Sequence, residues 1–272
     1  MDNLYGNLSF TKLNNDLELH IENVTIRGYT ILRNVINEDL VTQLKQAVQA
    51  IYDKQEKEFG EDNLIKIQDV NIARCILKYD YELFKQLAFN NVVIDLVQNL
   101  LKQKFMLGLQ NAIINRGTTH RQSSWHRDLP YQNFLCNEIL SINALWALDN
   151  FNAESGGTCL LPYSMNFINI PSKEFVQDNL IQPILMPGDI MIFNSLLLHK
   201  AGTNTGRNIR VSINHQYIRP FINPQYKFSE IPEIKCLNLS NFEKDILGFN
   251  FPNLTDDIAW RNNRMQRILH DA

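Results

Sequence analysis

The chain has 272 residues, 44% of them hydrophobic and 20% charged, which is enough apolar content for a full core and excludes a disordered chain. A formal net charge of −3 speaks against general nucleic-acid binding, no apolar run reaches the roughly 18–20 residues of a membrane span, and the polar N-terminus carries no secretory signal. Cys75, Cys136, Cys159 and Cys236 are irregularly spaced with no C-x-x-C pair, so they read as reduced thiols of a cytoplasmic protein, not as a disulfide framework or a structural zinc site.

Residues 24–36, VTIRGYTILRNVI, read as an extended strand. Asn37 then offers an N-cap, with Glu38 and Asp39 in a first turn where they complement the helix dipole. Leu40, Val41, Leu44, Val48 and Ile51 follow helical spacing, which predicts a helix near 38–58 ended by Gly60. A second helical stretch covers about 80–103, with Leu83, Leu87, Val93, Ile94, Val97 and Leu101 on its apolar side. After Phe105 the segments 105–115, 123–129, 139–149, 157–161, 181–193 and 209–218 are short, rich in β-branched or aromatic residues, and separated by Gly, Pro, Asn and Ser. The expected fold is therefore mainly β with flanking helices. A single domain comprises a mostly helical N-terminal portion (1–104), a sandwich or jelly-roll core (105–220) and a C-terminal extension (221–272) of loops and short helices. In the last strand Ile209, Val211 and Ile213 alternate with Arg210, Ser212, Asn214 and Gln216, so one face is apolar and the other capable of hydrogen bonding.

The chemistry lies in two separated segments, Trp125-His126-Arg127-Asp128 and Gly188-Asp189 through His199, with Arg210 eleven residues further on. Alternation in an extended segment puts His126 and Asp128 on one face. With His199 at the end of the strand that opens at Met186-Pro187-Gly188, they supply two imidazoles and a carboxylate. That is the ligand set of a mononuclear non-haem iron(II) centre with open positions. An H-x-D triplet alone arises often by chance; the whole constellation is far more specific. A hairpin through Lys200–Gly206 would return the chain beside the His199 strand and bring Arg210 near the metal. There its guanidinium can hold a carboxylate through two charge-assisted bonds, with Ser212 adding a hydroxyl. A five-carbon keto diacid, 2-oxoglutarate, fits such a pair of anchors.

These residues resemble the phytanoyl-CoA dioxygenase family of iron(II)/2-oxoglutarate oxygenases. The resemblance rests on Trp125–Asp128, the loop Glu154–Ser164, Pro187-Gly188-Asp189 through His199, His199-Lys200-Ala201-Gly202 with Asn204, and Arg210; with Gly28–Arg33 it covers about residues 24–220. It implies a double-stranded β-helix (a jelly-roll, cupin-like core) with helices on one side. It implies iron(II) on His126, Asp128 and His199, 2-oxoglutarate on Arg210, and dioxygen as the oxidant. It further suggests Trp146 and Asn111 as residues bordering the co-substrate, Gln110 having the other parity. Many members carry Ser or Thr two residues after the distal histidine, where this chain has Ala201; Ser212 or Thr203 is then the substitute. Related halogenases replace the carboxylate ligand by a small residue, so Asp128 favours a hydroxylase.

The substrate implied is a small metabolite, sugar or natural-product intermediate, with no nucleic acid or membrane as partner. Arg116 and Arg121, in the basic, hydroxyl-rich stretch leading into the metal motif, are candidates for holding an anionic group on it. The competing classes are a non-oxygenase jelly roll of binding or epimerase type, and a metal-dependent hydrolase using the same ligands with Glu154 or Asp149 as remote candidates for its base.

Overall fold

The structure, a computed structural model, describes residues 9–102, 104–117, 123–129, 134–252 and 254–270. Helix α1 (Asp16–Arg27) opens on Asn15, whose side chain accepts from the Glu18 amide at 3.0 Å, and closes on Gly28 in the left-handed region at φ 89°. Residues 24–27, expected as strand, are thus the end of a helix. Val24 is fully buried and the Thr25 hydroxyl bonds back to the Ile21 carbonyl at 2.8 Å, so packing and capping override the β-branched propensity. Strand β1 (Tyr29–Leu32) starts only after the glycine.

Helix α2 (Glu38–Phe59) lies where its spacing puts it, with Asn37 accepting from the Leu40 amide at 2.9 Å and Val41, Leu44, Val48 and Ile51 buried. A short α3 (Glu61–Lys66) follows. The expected single helix over 80–103 is two, α4 (Tyr81–Ala88) and α5 (Asn91–Leu101), because Asp80 caps the first and Asn90 starts a second by accepting from the Val93 amide.

Six strands of the described residues form one antiparallel sheet: β1, β2 (Ile72–Ala73), β3 (Met106–Asn115), β4 (Ser141–Ala147), β6 (Ile190–Asn194) and β8 (Arg210–Ile218), in the order β1-β6-β4-β8-β3-β2. A second, two-stranded sheet joins β5 (Cys159–Leu160) to β7 (His199–Lys200). Three expectations change. The 123–129 segment is not a regular strand: it begins in a helical turn, bends at Asp128 and Leu129, and pairs through an isolated bridge, His126 with His199. His199 does not end the 186–193 strand: β6 stops at Asn194, a turn follows, and the histidine sits on β7 in the other sheet. Nor is β8 a hairpin partner of that strand; it lies between β3 and β4, across the cavity.

The large sheet is buried on both faces. Ile142, Ala144, Trp146, Ile192 and Ile213 face α1, α2, α4 and α5 in one core, while Leu145, Ala147, Met191, Phe193 and Ile113 meet Phe151, Leu160 and Leu197 in a second core toward the small sheet. Each Leu, Ile, Met or Phe among them contributes roughly 1.5–3 kcal/mol by leaving water. The turn into β6 is fixed by Gly188 at φ 90°, where an added Cβ would lie 2.4 Å from the Ile36 carbonyl oxygen. Asp189 completes it, accepting from the Arg33 guanidinium at 2.6 Å and the Asn34 amide at 2.9 Å. A short helix α6 (Lys173–Asn179) lies between β5 and β6 in the chain. The C-terminal extension contributes α7 (Pro232–Lys235), α8 (Asn241–Ile246) and α9 (Asp257–His270), and Phe228, Ile234, Ile246 and Leu247 join the helix-side core. Among the described residues no helix is long and apolar enough to cross a membrane.

On the helix side of β8, His215 is fully buried; Trp146 Nε1 donates to its Nδ1 at 3.1 Å and the Gln110 amide lies 2.6 Å from its Nε2. Burial pushes its pKa down from 6.5 to about 3. The unfolded chain therefore takes up a proton below about pH 6.5 that the folded chain refuses. Stability from this source is complete above that pH and is lost as pH falls toward 3. Urea unfolding is expected to lose about 2 kcal/mol more between pH 7 and pH 5 in the wild type than in His215→Gln; parallel profiles for the two proteins would refute this.

Candidate metal centre and its cavity

His126 and His199 are joined back to back by their main chains: the His126 amide donates to the His199 carbonyl at 2.9 Å, and the return bond is 3.1 Å. Two residues on, the Asp128 amide donates to the Ser195 carbonyl at 2.9 Å and Gln216 Nε2 to the Asp128 carbonyl at 2.8 Å. The chain presents His126 and Asp128 to the cavity and turns Arg127 away from it. Arg127 is buried there, its guanidinium bonding the Leu196 carbonyl at 3.0 Å and the Phe167 carbonyl.

The donor atoms converge. His126 Nε2 and His199 Nε2 each lie 3.5 Å from a different oxygen of Asp128, and one ligand atom from each residue falls within 4.8 Å of the others. Ligand bonds of about 2.1 Å to one shared ion put neighbouring donors about 3.0–3.4 Å apart, so this spacing suits a cation better than direct hydrogen bonds. Each imidazole has its Nδ1 tied to a carbonyl, Ser124 at 2.8 Å for His126 and Leu197 at 2.9 Å for His199. Nδ1–H then donates there and Nε2 keeps its lone pair for a metal. Burial alone would raise the Asp128 carboxyl, but the two neighbouring imidazoles outweigh it and hold the group well below the usual carboxylate range, so it is ionised. All three residues could thus hold a divalent ion.

Arg210 lines the same cavity and is almost wholly buried. Its guanidinium stacks on the Phe151 ring at 4.3 Å and its Nη1 reaches Ser212 Oγ at 3.4 Å, while Nε has no partner. No carboxylate of the described residues comes within the 4.0 Å of an ion pair. Asp149, whose charge acts on Arg210, is occupied by the Lys45 ammonium at 2.5 Å and the Val211 amide at 2.8 Å. Burial lowers the Arg210 pKa to about 10, partly opposed by Asp149. A buried, unpaired cation is costly, and an anion entering the cavity would relieve it. The donor set and this orphaned guanidinium fit a metal ion plus an acidic co-substrate.

The other expected site residues divide. Ser212 lines the cavity beside Arg210. Trp146 does not: alternation along β4 sends Leu145 into the cavity and turns Trp146 into the helix-side core, against His215. Asn111 lies across the ladder from Asn214, on the cavity face of β3, which settles its parity against Gln110. Its side chain is nonetheless engaged at the strand edge, accepting from Tyr226 Oη at 2.7 Å and the Cys75 amide at 3.1 Å. Arg116 reaches back to Asn71 and Gln49 on the N-terminal portion, both at 3.0 Å. Arg121 lies outside the described residues. Ile113, Leu145, Thr158 and Phe193 also line the cavity without having been singled out from the sequence, and Asn214 had been placed only on the polar face of its strand. Parity with Ser212 flags Asn214; Thr158 is placed only by the pairing of β5 with β7. His199→Ala and Asp128→Ala are each expected to lower iron(II) affinity by about a hundredfold in equilibrium dialysis, and unchanged uptake would remove the metal site.

The sequence profile of phytanoyl-CoA dioxygenase (PhyH) matches residues 26–212. The chain is 27% identical over 207 residues to Rv1501 of Mycobacterium tuberculosis, covering 74% of this chain and 75% of that one. Among solved structures, EctD from S. alaskensis, determined with 2-oxoglutarate and 5-hydroxyectoine, aligns with a TM-score of 0.62 at 15% identity over 76% of this chain and 82% of its own. AviO1 from Streptomyces viridochromogenes Tue57 aligns at 0.56 and 15% identity over 78% and 99%. Both likenesses are of fold, an antiparallel sheet with flanking helices. With the profile spanning more than half of its length, the chain belongs to the phytanoyl-CoA dioxygenase family of iron(II)/2-oxoglutarate-dependent oxygenases.

Proposed function

We propose that this protein is an iron(II)- and 2-oxoglutarate-dependent dioxygenase that hydroxylates an unactivated C–H bond of a small metabolite, sugar or natural-product intermediate, releasing succinate and carbon dioxide. The observation that carries the reading is the joint presence, in one cavity, of the His126–Asp128–His199 cluster and the unpaired guanidinium of Arg210. We read the large and small sheets as the two sides of a jelly roll enclosing that cavity.

When bound, iron(II) with 2-oxoglutarate and dioxygen would supply the oxidising power, which no side chain here can provide. The protein positions and encloses. Its backbone bonds to both Nδ1 atoms keep the imidazole lone pairs on Nε2. Arg210 takes the remote carboxylate of the keto diacid and is itself neutralised. Ile113, Leu145 and Phe193 form apolar walls that exclude water from the reacting face. Asp128 stands as the carboxylate ligand, which leaves no vacant ligand position for halide and favours hydroxylation over halogenation.

The hydrolase alternative needs a general base beside the metal. Among the described residues the cavity lining offers no carboxylate besides Asp128, and Asp149 is held by Lys45 outside it. In an anaerobic titration, iron(II) followed by 2-oxoglutarate is expected to give a weak visible charge-transfer band. Arg210→Gln should retain the iron but need at least tenfold more 2-oxoglutarate, from the loss of a charge-assisted bond. A folded, iron-loaded protein with no band would sink the assignment.

A further inference from the structure

One hydroxyl in the cavity has no use in the proposed function. Thr158 leads into β5. The ladder pairs Cys159 with Lys200 and Leu160 with His199, and the Gly202 amide donates to the Gly157 carbonyl at 3.1 Å. Bracketed by these contacts, Thr158 lies across from Ala201, two residues beyond the histidine of the metal cluster. Thr158 and Ala201 both line the cavity with Arg210 and Ser212. Thr158 is only 7% exposed, yet its hydroxyl makes no hydrogen bond among the described residues.

A carboxylate has about four lone-pair sites, and a guanidinium fork fills two. The rest need neutral donors, and the Ala201 methyl supplies none. Ser212 Oγ accepts from Arg210 Nη1 at 3.4 Å, which leaves its own O–H free to donate. The hydroxyl of Thr158 is the other lining donor on this side of the cavity that the protein leaves unused.

We propose that Thr158 Oγ1 is a co-substrate-binding residue, donating its O–H to the remote carboxylate beside the Arg210 guanidinium. The carboxylate is thereby held from both sheets, Arg210 and Ser212 from the large one and Thr158 from the small one that also carries His199. Seating the co-substrate would then fix the spacing between Arg210 and the metal cluster.

This inference rests on the proposed function, and its test separates the two. The probe is 2-oxoglutarate, titrated anaerobically into the iron(II)-loaded full chain and followed by the visible band. Thr158→Val keeps the side-chain shape and removes the donor. It is expected to bind iron as the wild type does and 2-oxoglutarate roughly tenfold or more weakly. Thr158→Ser should restore most of that loss. The keto acid 2-oxobutyrate lacks the remote carboxylate and should distinguish the wild type from Thr158→Val by less than about twofold. Equal 2-oxoglutarate affinities, a loss that serine does not repair, or a matching loss for 2-oxobutyrate would overturn the role of Thr158 while leaving the dioxygenase assignment intact. A wild-type protein that gives no band overturns both.

Discussion

The reciprocal main-chain bonds between His126 and His199 are the constraint on which the site depends. They join two parts of the chain more than seventy positions apart in the sequence, and they do so through backbone atoms, so that both imidazoles can turn into the cavity. Asp128 and Ser195 extend the clamp by one further bond, and Arg127 fastens its outer side to the Leu196 and Phe167 carbonyls. With both Nδ1 atoms committed to carbonyls, each ring retains little freedom. The cluster is preorganised by interactions that the metal does not have to supply.

Opposite that clamp stands Arg210, held by a sheet whose two faces are both buried. Its stacking on Phe151, its burial and the lack of an ion-paired carboxylate among the described residues make it a cation held in a low-dielectric site. Such a charge is tolerated in a folded protein when binding an anion returns what burial cost. The Asp149–Lys45 pair matters in this setting: it occupies the carboxylate that would otherwise neutralise Arg210 from outside the cavity. Large sheet and small sheet thus carry complementary parts, a buried guanidinium on one and a candidate metal ligand on the other.

Local signals in the chain were legible where one residue's chemistry settles the outcome. Asn37 capped α2 where the apolar spacing put it, and β3, β4 and β8 lie inside their expected segments. They failed where tertiary packing competes with propensity. Val24, Thr25 and Ile26 look like strand, but Val24 is buried in the core and Gly28 provides the left-handed cap, so the segment is helix. The expected helix over 80–103 broke at Asn90 because a side-chain cap to Val93 starts a new helix there. Trp146, suggested by the resemblance alone, packs in the helix-side core because alternation along β4 gives the cavity face to Leu145.

The sequence by itself picked out the three donors of the cluster together with Arg210 and Ser212. The H-x-D spacing sets two donors on one side of an extended backbone, and the alternation along β8 sets Arg210, Ser212 and Asn214 on one face, because strand geometry has a period of two regardless of context. Tertiary structure alone decided how those faces meet. The turn after Asn194 moves His199 from the large sheet to the small one, and β8 pairs with β3 and β4 instead of returning beside it. Strand pairing is a long-range choice made by burial on both faces of the sheet, and no local pattern encodes it. That choice closes the cavity, leaves Arg210 without an ion-paired carboxylate among the described residues, and brings Thr158 opposite Ala201.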